Sequence, residues 1–267
     1  MIAPDDRQPA RVRVHPPSAH EGFTLTELLV VMGTLGVLVG LIAPALSFAQ
    51  ERARRIQCTS NLRQMVHAAI MYGQEDPGGN LSNAYHDTND VLTFLYPDYL
   101  NATRVFTCPS TDNRVREDVW IDHPITGRRE LLDLTGYAGS PTNHGSSYEL
   151  FGFMNHTPDT PLRTRFEVNG RSWSVRGVKK TLHTIQSHAH VSPAFGLMGT
   201  VAGPSRIWLV VDGDEPPGRQ NYPDPGNNHG DAGGNAAFCD GHVEWVPTKT
   251  YLFQYEMSQD ENRASLD

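Results

Sequence analysis

Gly22-Phe23-Thr24-Leu25-Thr26-Glu27-Leu28-Leu29 opens a stretch that carries no charge from Leu28 to Ala49. At about 1.5 Å of rise per residue, a helix over that stretch covers roughly 33 Å, enough to cross a hydrocarbon core of about 30 Å. Glu27 stands at its lip, and an acidic side chain in a membrane span is by default functional and needs a partner. Inside the stretch, Gly33, Gly36 and Gly40 fall on neighbouring faces of one helix. Gly36 with Gly40 makes the small-xxx-small pattern of close helix packing in lipid, although glycine is also common in membrane helices generally.

Working outward, Met1 to Gly22 is polar, and Pro4, Pro9, Pro16 and Pro17 prevent a stable helix, so it reads as a leader. Arg7, Arg11 and Arg13 favour a cytoplasmic N-terminus, whereas Arg52, Arg54 and Arg55 directly after the span blur that asymmetry. From Glu51 to Tyr72 there is no Gly or Pro. Ile56, Leu62, Met65, Val66, Ala69 and Ile70 form an apolar stripe opposite Arg52, Arg55, Arg63 and Gln64. Gly73 begins a break that Pro77, Gly78 and Gly79 complete. The spacing predicts one helix of about 50 residues, half in the membrane and half packed on a soluble domain.

The string from Gly22 to Leu29 resembles the type IV prepilin signature, shared by pilins and the pseudopilins of type II secretion. The resemblance implies cleavage after Gly22 by a prepilin peptidase and methylation of Phe23. It also implies that Glu27, the fifth residue of the mature chain, pairs with the terminal amine of a neighbouring subunit. A buried carboxylate and a buried ammonium are each costly alone, so pairing them gives stacked helices a register. Pro44 matches a kink seen in that family. Cys58-Thr59-Ser60-Asn61-Leu62-Arg63-Gln64, Leu95-Tyr96-Pro97-Asp98-Tyr99-Leu100 and Phe106-Thr107-Cys108-Pro109-Ser110 are similar to a bacterial branch of pilin-like proteins with a processing-associated His and Asp-Gly near the C-terminus. An ordinary secretory signal is the competing reading, with Ser47-Phe48-Ala49 before Gln50 as its small-residue cleavage site.

That branch's C-terminal motif is similar to His229 through Asp240-Gly241-His242. The family spacer is nine residues, whereas Gly230 to Cys239 is ten, so this chain departs from the motif by one inserted residue. Asp240-Gly241 between Ala236-Ala237-Phe238-Cys239 and His242-Val243-Glu244-Trp245 predicts a two-residue hairpin, with Phe238 opposite Val243 and Ala236 opposite Trp245. On that reading Asp240 is a turn residue and His229 an incidental loop side chain. The alternative is a metal site from His229, Asp240 and His242 with Asp212 or Asp214, its nitrogen and oxygen donors suiting zinc. If only oxygens converge, calcium is the ion, and Asp76 with Asn80 is a further calcium candidate. His183, His188 and His190 are irregularly spaced and read as polar surface residues.

A net charge of −8 leaves no basic footprint for nucleic acid. With 24 Gly and 19 Pro among 267 residues, the chain is loop-rich but long enough to bury one core. Three cysteines, Cys58, Cys108 and Cys239, allow three pairings with one thiol over, or none. Ser187 and His188 belong to no nucleophile elbow, and no His-Glu helix motif or phosphate-cradling loop accompanies them, so the chain reads as no enzyme.

The expected architecture is α+β and pilin-like. A leader over 1–22 is followed by a transmembrane and amphipathic helix over 23–75 and an extracytoplasmic domain over 76–267. In that domain Arg171 to Val178, Arg206 to Val211 and the C-terminal hairpin form one antiparallel sheet under the helix stripe. Expected partners are the prepilin peptidase, other pilin or pseudopilin subunits and inner-membrane lipid.

Overall fold

The computed structural model describes residues 23–84, 91–123, 127–135, 144–157, 159–168, 170–213, 223 and 227–264. The chain divides into two units, Met1–Phe48 and Ala49–Asp267. Helix α1 runs over Leu25–Glu75 and contains Pro44. Strands β1 (Trp120–Asp122) and β2 (Arg129–Leu131), β3 (Tyr148–Leu150), β4 (Phe153–Met154), β5 (Arg163–Val168), β6 (Arg171–Arg176) and β7 (Val178–Lys179) follow. Then come the short α2 (Thr184–Ser187), β8 (Trp208–Asp212), β9 (Gly233–Phe238), β10 (Val243–Pro247) and α3 (Thr248–Gln259). This is an α+β, pilin-like fold: a long N-terminal helix whose second half packs on a small, wholly antiparallel sheet.

In the first unit, every described residue of α1 is exposed, and the helix is long and apolar enough to cross a membrane. In the second unit, Cys58, Asn61, Leu62, Met65, Val66, Ala69 and Gly73 are buried at the spacing of one helical face. Ile56, expected in that stripe, is 64% exposed. Nor does Gly73 break the helix. A Cβ there would stand 2.9 Å from Leu81 Cδ2, so the glycine admits the returning chain. The helix ends where Asp76 folds its carboxylate back onto the Gly78 and Asn80 backbone N–H groups, both at 2.9 Å, and the Asn80 amide at 2.6 Å. That carboxylate serves a turn.

The central sheet has the order β10-β9-β8-β3. Its middle strands β8 and β9 are buried throughout, with helices on both faces. Toward α1 point Leu209, Val210, Ala237 and Cys239, in one core with Leu62, Met65 and Tyr148. Toward α3 point Trp208, Val211, Ala236, Phe238 and Val246, packed with Tyr251 and Tyr255. An irregularity in β8 between Trp208 and Val210 interrupts the alternation, so that the adjacent Leu209 and Val210 share the α1 face while Trp208 and Val211 share the other.

Two expectations about the sheet are corrected. Arg171–Arg176 pairs with Arg163–Val168 in a separate hairpin, and Tyr148–Leu150 takes the sheet position beside β8. The C-terminal hairpin exists, but its register is one residue off: Val243 faces Ala237 and Trp245 faces Asn235. Phe238 accepts from the Gly241 N–H and donates to His242 O, which leaves Cys239, Asp240 and Gly241 as a three-residue loop with Gly241 at φ +96. A turn followed by a left-handed glycine closes such a loop. The extra residue carries Trp245 to the α1 side, where Arg55 lies 4.0 Å over its ring.

Lys180 is fully buried beneath the α3 side, donating from Nζ to Trp208 O at 2.7 Å. Burial pushes its ammonium down to about 7 from an ordinary 10.5. Between those values the unfolded chain holds a proton that the folded one lacks, so this group's contribution to stability rises with pH. Denaturant unfolding from pH 8 to 10 is therefore expected to shift the wild-type minus Lys180→Met stability difference toward wild type by about 1.4 kcal/mol per pH unit. A pH-independent difference refutes the assignment.

Candidate functional site

At the N-terminal end, Gly22 and the leader lie outside the described residues, and Phe23 is 80% exposed. Thr24 precedes the first residue of α1 and forms a reciprocal pair with Glu27. The Glu27 N–H donates to Thr24 Oγ1 at 3.3 Å, and Glu27 Oε2 accepts from the Thr24 N–H at 2.9 Å and from its hydroxyl at 2.7 Å. Such a capping box satisfies backbone donors that the first helical turn leaves unpaired. Within the chain, Glu27 thus has a local partner, and Thr24-x-x-Glu27 is its signal in the sequence.

The second site is buried in the globular unit. Cys58 on α1 and Cys108, just after a 3₁₀ turn over Thr103–Phe106, bring their Sγ atoms within 2.7 Å. His229, in the loop leading to β9, places Nε2 3.6 Å from Cys108 Sγ. The ligating atoms of Cys58, Cys108 and His229 all lie within 4.8 Å of one another, and all three residues are buried. This cluster can hold a metal ion, and its sulfur and nitrogen donors are of the kind that zinc takes, not the oxygens that calcium takes.

Each member is held from behind. Tyr148 Oη donates to Cys58 Sγ at 3.3 Å, and the Ser110 N–H donates to Cys108 Sγ at 3.4 Å. His229 Nδ1 meets Glu51 Oε1 at 2.9 Å, and Arg55 Nε steadies that carboxylate at 3.0 Å. Asp212, at the end of β8, brings Oδ2 within 3.6 Å of His229 Nε2, and that oxygen accepts from the Asn235 backbone at 2.7 Å and its amide at 2.8 Å. Asp212 Oδ1 is buried with no hydrogen-bond partner among the described residues.

Electrostatics make the cluster asymmetric. Burial drives the Cys58 thiol far up, with Cys108 and Asp212 adding to it. Burial also works on Cys108, but hydrogen bonds with Cys58 and His229 overcome it and bring the thiol down to about 7. The imidazole of His229 is opposed by burial too, yet Cys108, Asp212 and Glu51 raise it to about 9. Burial holds the Asp212 carboxyl above its usual range.

Of the residues singled out from sequence, His229 and Asp212 come together here. Asp240 and His242 sit past the opposite end of β9, where Asp240 Oδ1 pairs with His242 Nδ1 at 2.5 Å and the His242 ring stacks on Phe238. Asp214 lies outside the described residues. Of the central histidines only His183 is exposed. His188 is bonded to Asp260 at 2.8 Å, and His190 is buried between the carbonyls of Thr200 at 2.8 Å and Met257 at 3.0 Å. They brace the end of α3 and are not the surface residues expected.

The chain is similar to the type II secretion system core protein G of Pectobacterium carotovorum subsp. carotovorum, with 31% identity over 101 residues. The match covers 37% of this chain and 61% of that protein's length. No family model matches, and no solved structure matches. Together with the long N-terminal helix and small antiparallel sheet, this likeness supports a pseudopilin-type protein in general terms. Among the described residues one helix is apolar and long enough to cross a membrane, consistent with a membrane-spanning segment, and likeness to a secretion-system core protein is consistent with a chain that is not an enzyme.

Proposed function

We propose that this chain is a pilin-like subunit, cut after Gly22 by a prepilin peptidase, methylated at Phe23, and assembled into a type II secretion pseudopilus or a type IV pilus. The observation that carries this reading is the exposed, apolar first half of α1, whose first turn holds Glu27 shortly after the Gly22-Phe23 pair. In lipid that helix is stored with the domain over 76–267 outside the cytoplasm. On assembly, the terminal amine of one subunit meets the Glu27 carboxylate of the next. The likeness to a secretion-system core protein favours the secretion branch.

A second reading is a periplasmic metal- or ligand-binding protein released by ordinary signal peptidase after Ala49. The buried thiol and imidazole cluster favours it, since Glu51 and Cys58 both lie beyond that cut. N-terminal sequencing and intact mass of the mature chain decide between them. A start at N-methyl-Phe23 is expected, and a start at Gln50 overturns the pilin-like reading.

A further inference from the structure

We propose that Cys58, Cys108, His229 and Asp212 form a binding site for a zinc-class divalent cation, with Glu51 orienting the imidazole. The first ground is spacing. Zinc bonds of about 2.3 Å to sulfur and 2.0–2.1 Å to nitrogen and oxygen set tetrahedral edges of about 3.3–3.8 Å. Cys108 Sγ to His229 Nε2 and His229 Nε2 to Asp212 Oδ2 are both 3.6 Å. The two sulfurs, at 2.7 Å, have to open by about 1 Å, which side-chain rotation supplies.

The second ground is the support around the ligands. A metal-binding histidine nearly always hands its other ring nitrogen to a carboxylate or carbonyl, which fixes the tautomer and aims the free lone pair. His229 does this with Nδ1 on Glu51 and Nε2 turned to Cys108 and Asp212. Backbone and hydroxyl donors already point at both sulfurs, as thiolate ligands require. A third ground is independent of both: Asp212 is buried with one carboxylate oxygen lacking any hydrogen-bond partner among the described residues. A buried carboxylate oxygen left without a donor has capacity for one more partner, which a bound cation would fill. The site does not depend on what the chain assembles into.

The competing outcome is a disulfide between Cys58 and Cys108. Full-length protein purified in detergent without chelator or reductant is to be analysed for metal, and its thiols alkylated after denaturation in chelator. One zinc per chain and three alkylated cysteines are expected. Cobalt loading should give thiolate-to-cobalt charge transfer and intense tetrahedral ligand-field bands. Cys58→Ser and Cys108→Ser should lose stoichiometric metal. Should those variants misfold, Glu51→Gln, which touches no metal, keeps the test open: it should still bind one zinc but about 10–100-fold more weakly in chelator competition. A single alkylated cysteine, the absence of stoichiometric metal with all thiols free, or unchanged affinity in Glu51→Gln overturns the proposal.

Discussion

Trp208→Ala is expected to destabilise the globular unit by about 3–5 kcal/mol, the range for emptying a buried large aromatic site. Trp208 is fully buried, and its ring lies 5.0 Å from Tyr251, 6.2 Å from Tyr255 and 6.4 Å from Phe238. These neighbours belong to α3 and to β9, so the cavity would open where the helix is fastened to the sheet. Little is available to refill it, because the rings meet at steep angles and cannot all tilt inward at once. Trp208→Phe separates packing from polarity. The indole N–H is buried without a hydrogen-bond partner among the described residues, so the smaller ring forfeits volume but no hydrogen bond. Denaturant unfolding is expected to place it well above the alanine variant. Equal losses for the two would show that the site is not governed by packing.

Glu27→Ala is expected to abolish filament or pseudopilus assembly outright while leaving the Ala49–Asp267 unit folded. The capping box raises a rival explanation, in which Glu27 matters only because it secures the first turn of α1. Glutamine separates the two, since an N3 glutamine reaches the same backbone donor as glutamate but carries no charge. If the carboxylate pairs with a neighbouring subunit's amine, Glu27→Gln fails in assembly as fully as Glu27→Ala, although both variants reach the membrane and are cleaved. Normal assembly of Glu27→Gln would reduce Glu27 to a helix cap. The readouts are crosslinked multimers or secretion, each normalised to the amount of processed subunit.

The long helix was readable because its evidence is local: an uncharged stretch, then a stripe at helical spacing, then Pro77 and two glycines. The sheet was readable only in part. Trp208-Leu209-Val210-Val211 is a short apolar run of strand-forming residues and reads as a sheet strand, though not as one covered on both faces, whereas three-residue Tyr148–Leu150 leaves almost no pattern to detect. The hairpin register failed on one residue, because Asp240-Gly241 reads as a two-residue turn and nothing in its neighbours reveals that Cys239 joins the loop. Helix α3 shows in the sequence only as Tyr251 and Tyr255 one turn apart, too weak a signal to predict it. Cys58, Cys108 and His229 are separated by 50 and 121 residues, and spacing cannot announce a convergence that only tertiary packing creates. The Asp240-Gly241 sequence points instead to the far end of β9.

The outer border of β10 has a consequence for a chain proposed to assemble in many copies. That strand is five residues long, shows an exposed Glu244, and finishes on Pro247, which has no amide hydrogen to offer. At the other border β3 spans three residues. Short, charged and proline-ended margins are poor templates for recruiting a foreign strand. Crowded copies therefore gain little by zipping together through main-chain ladders, which guards them against amyloid-like association.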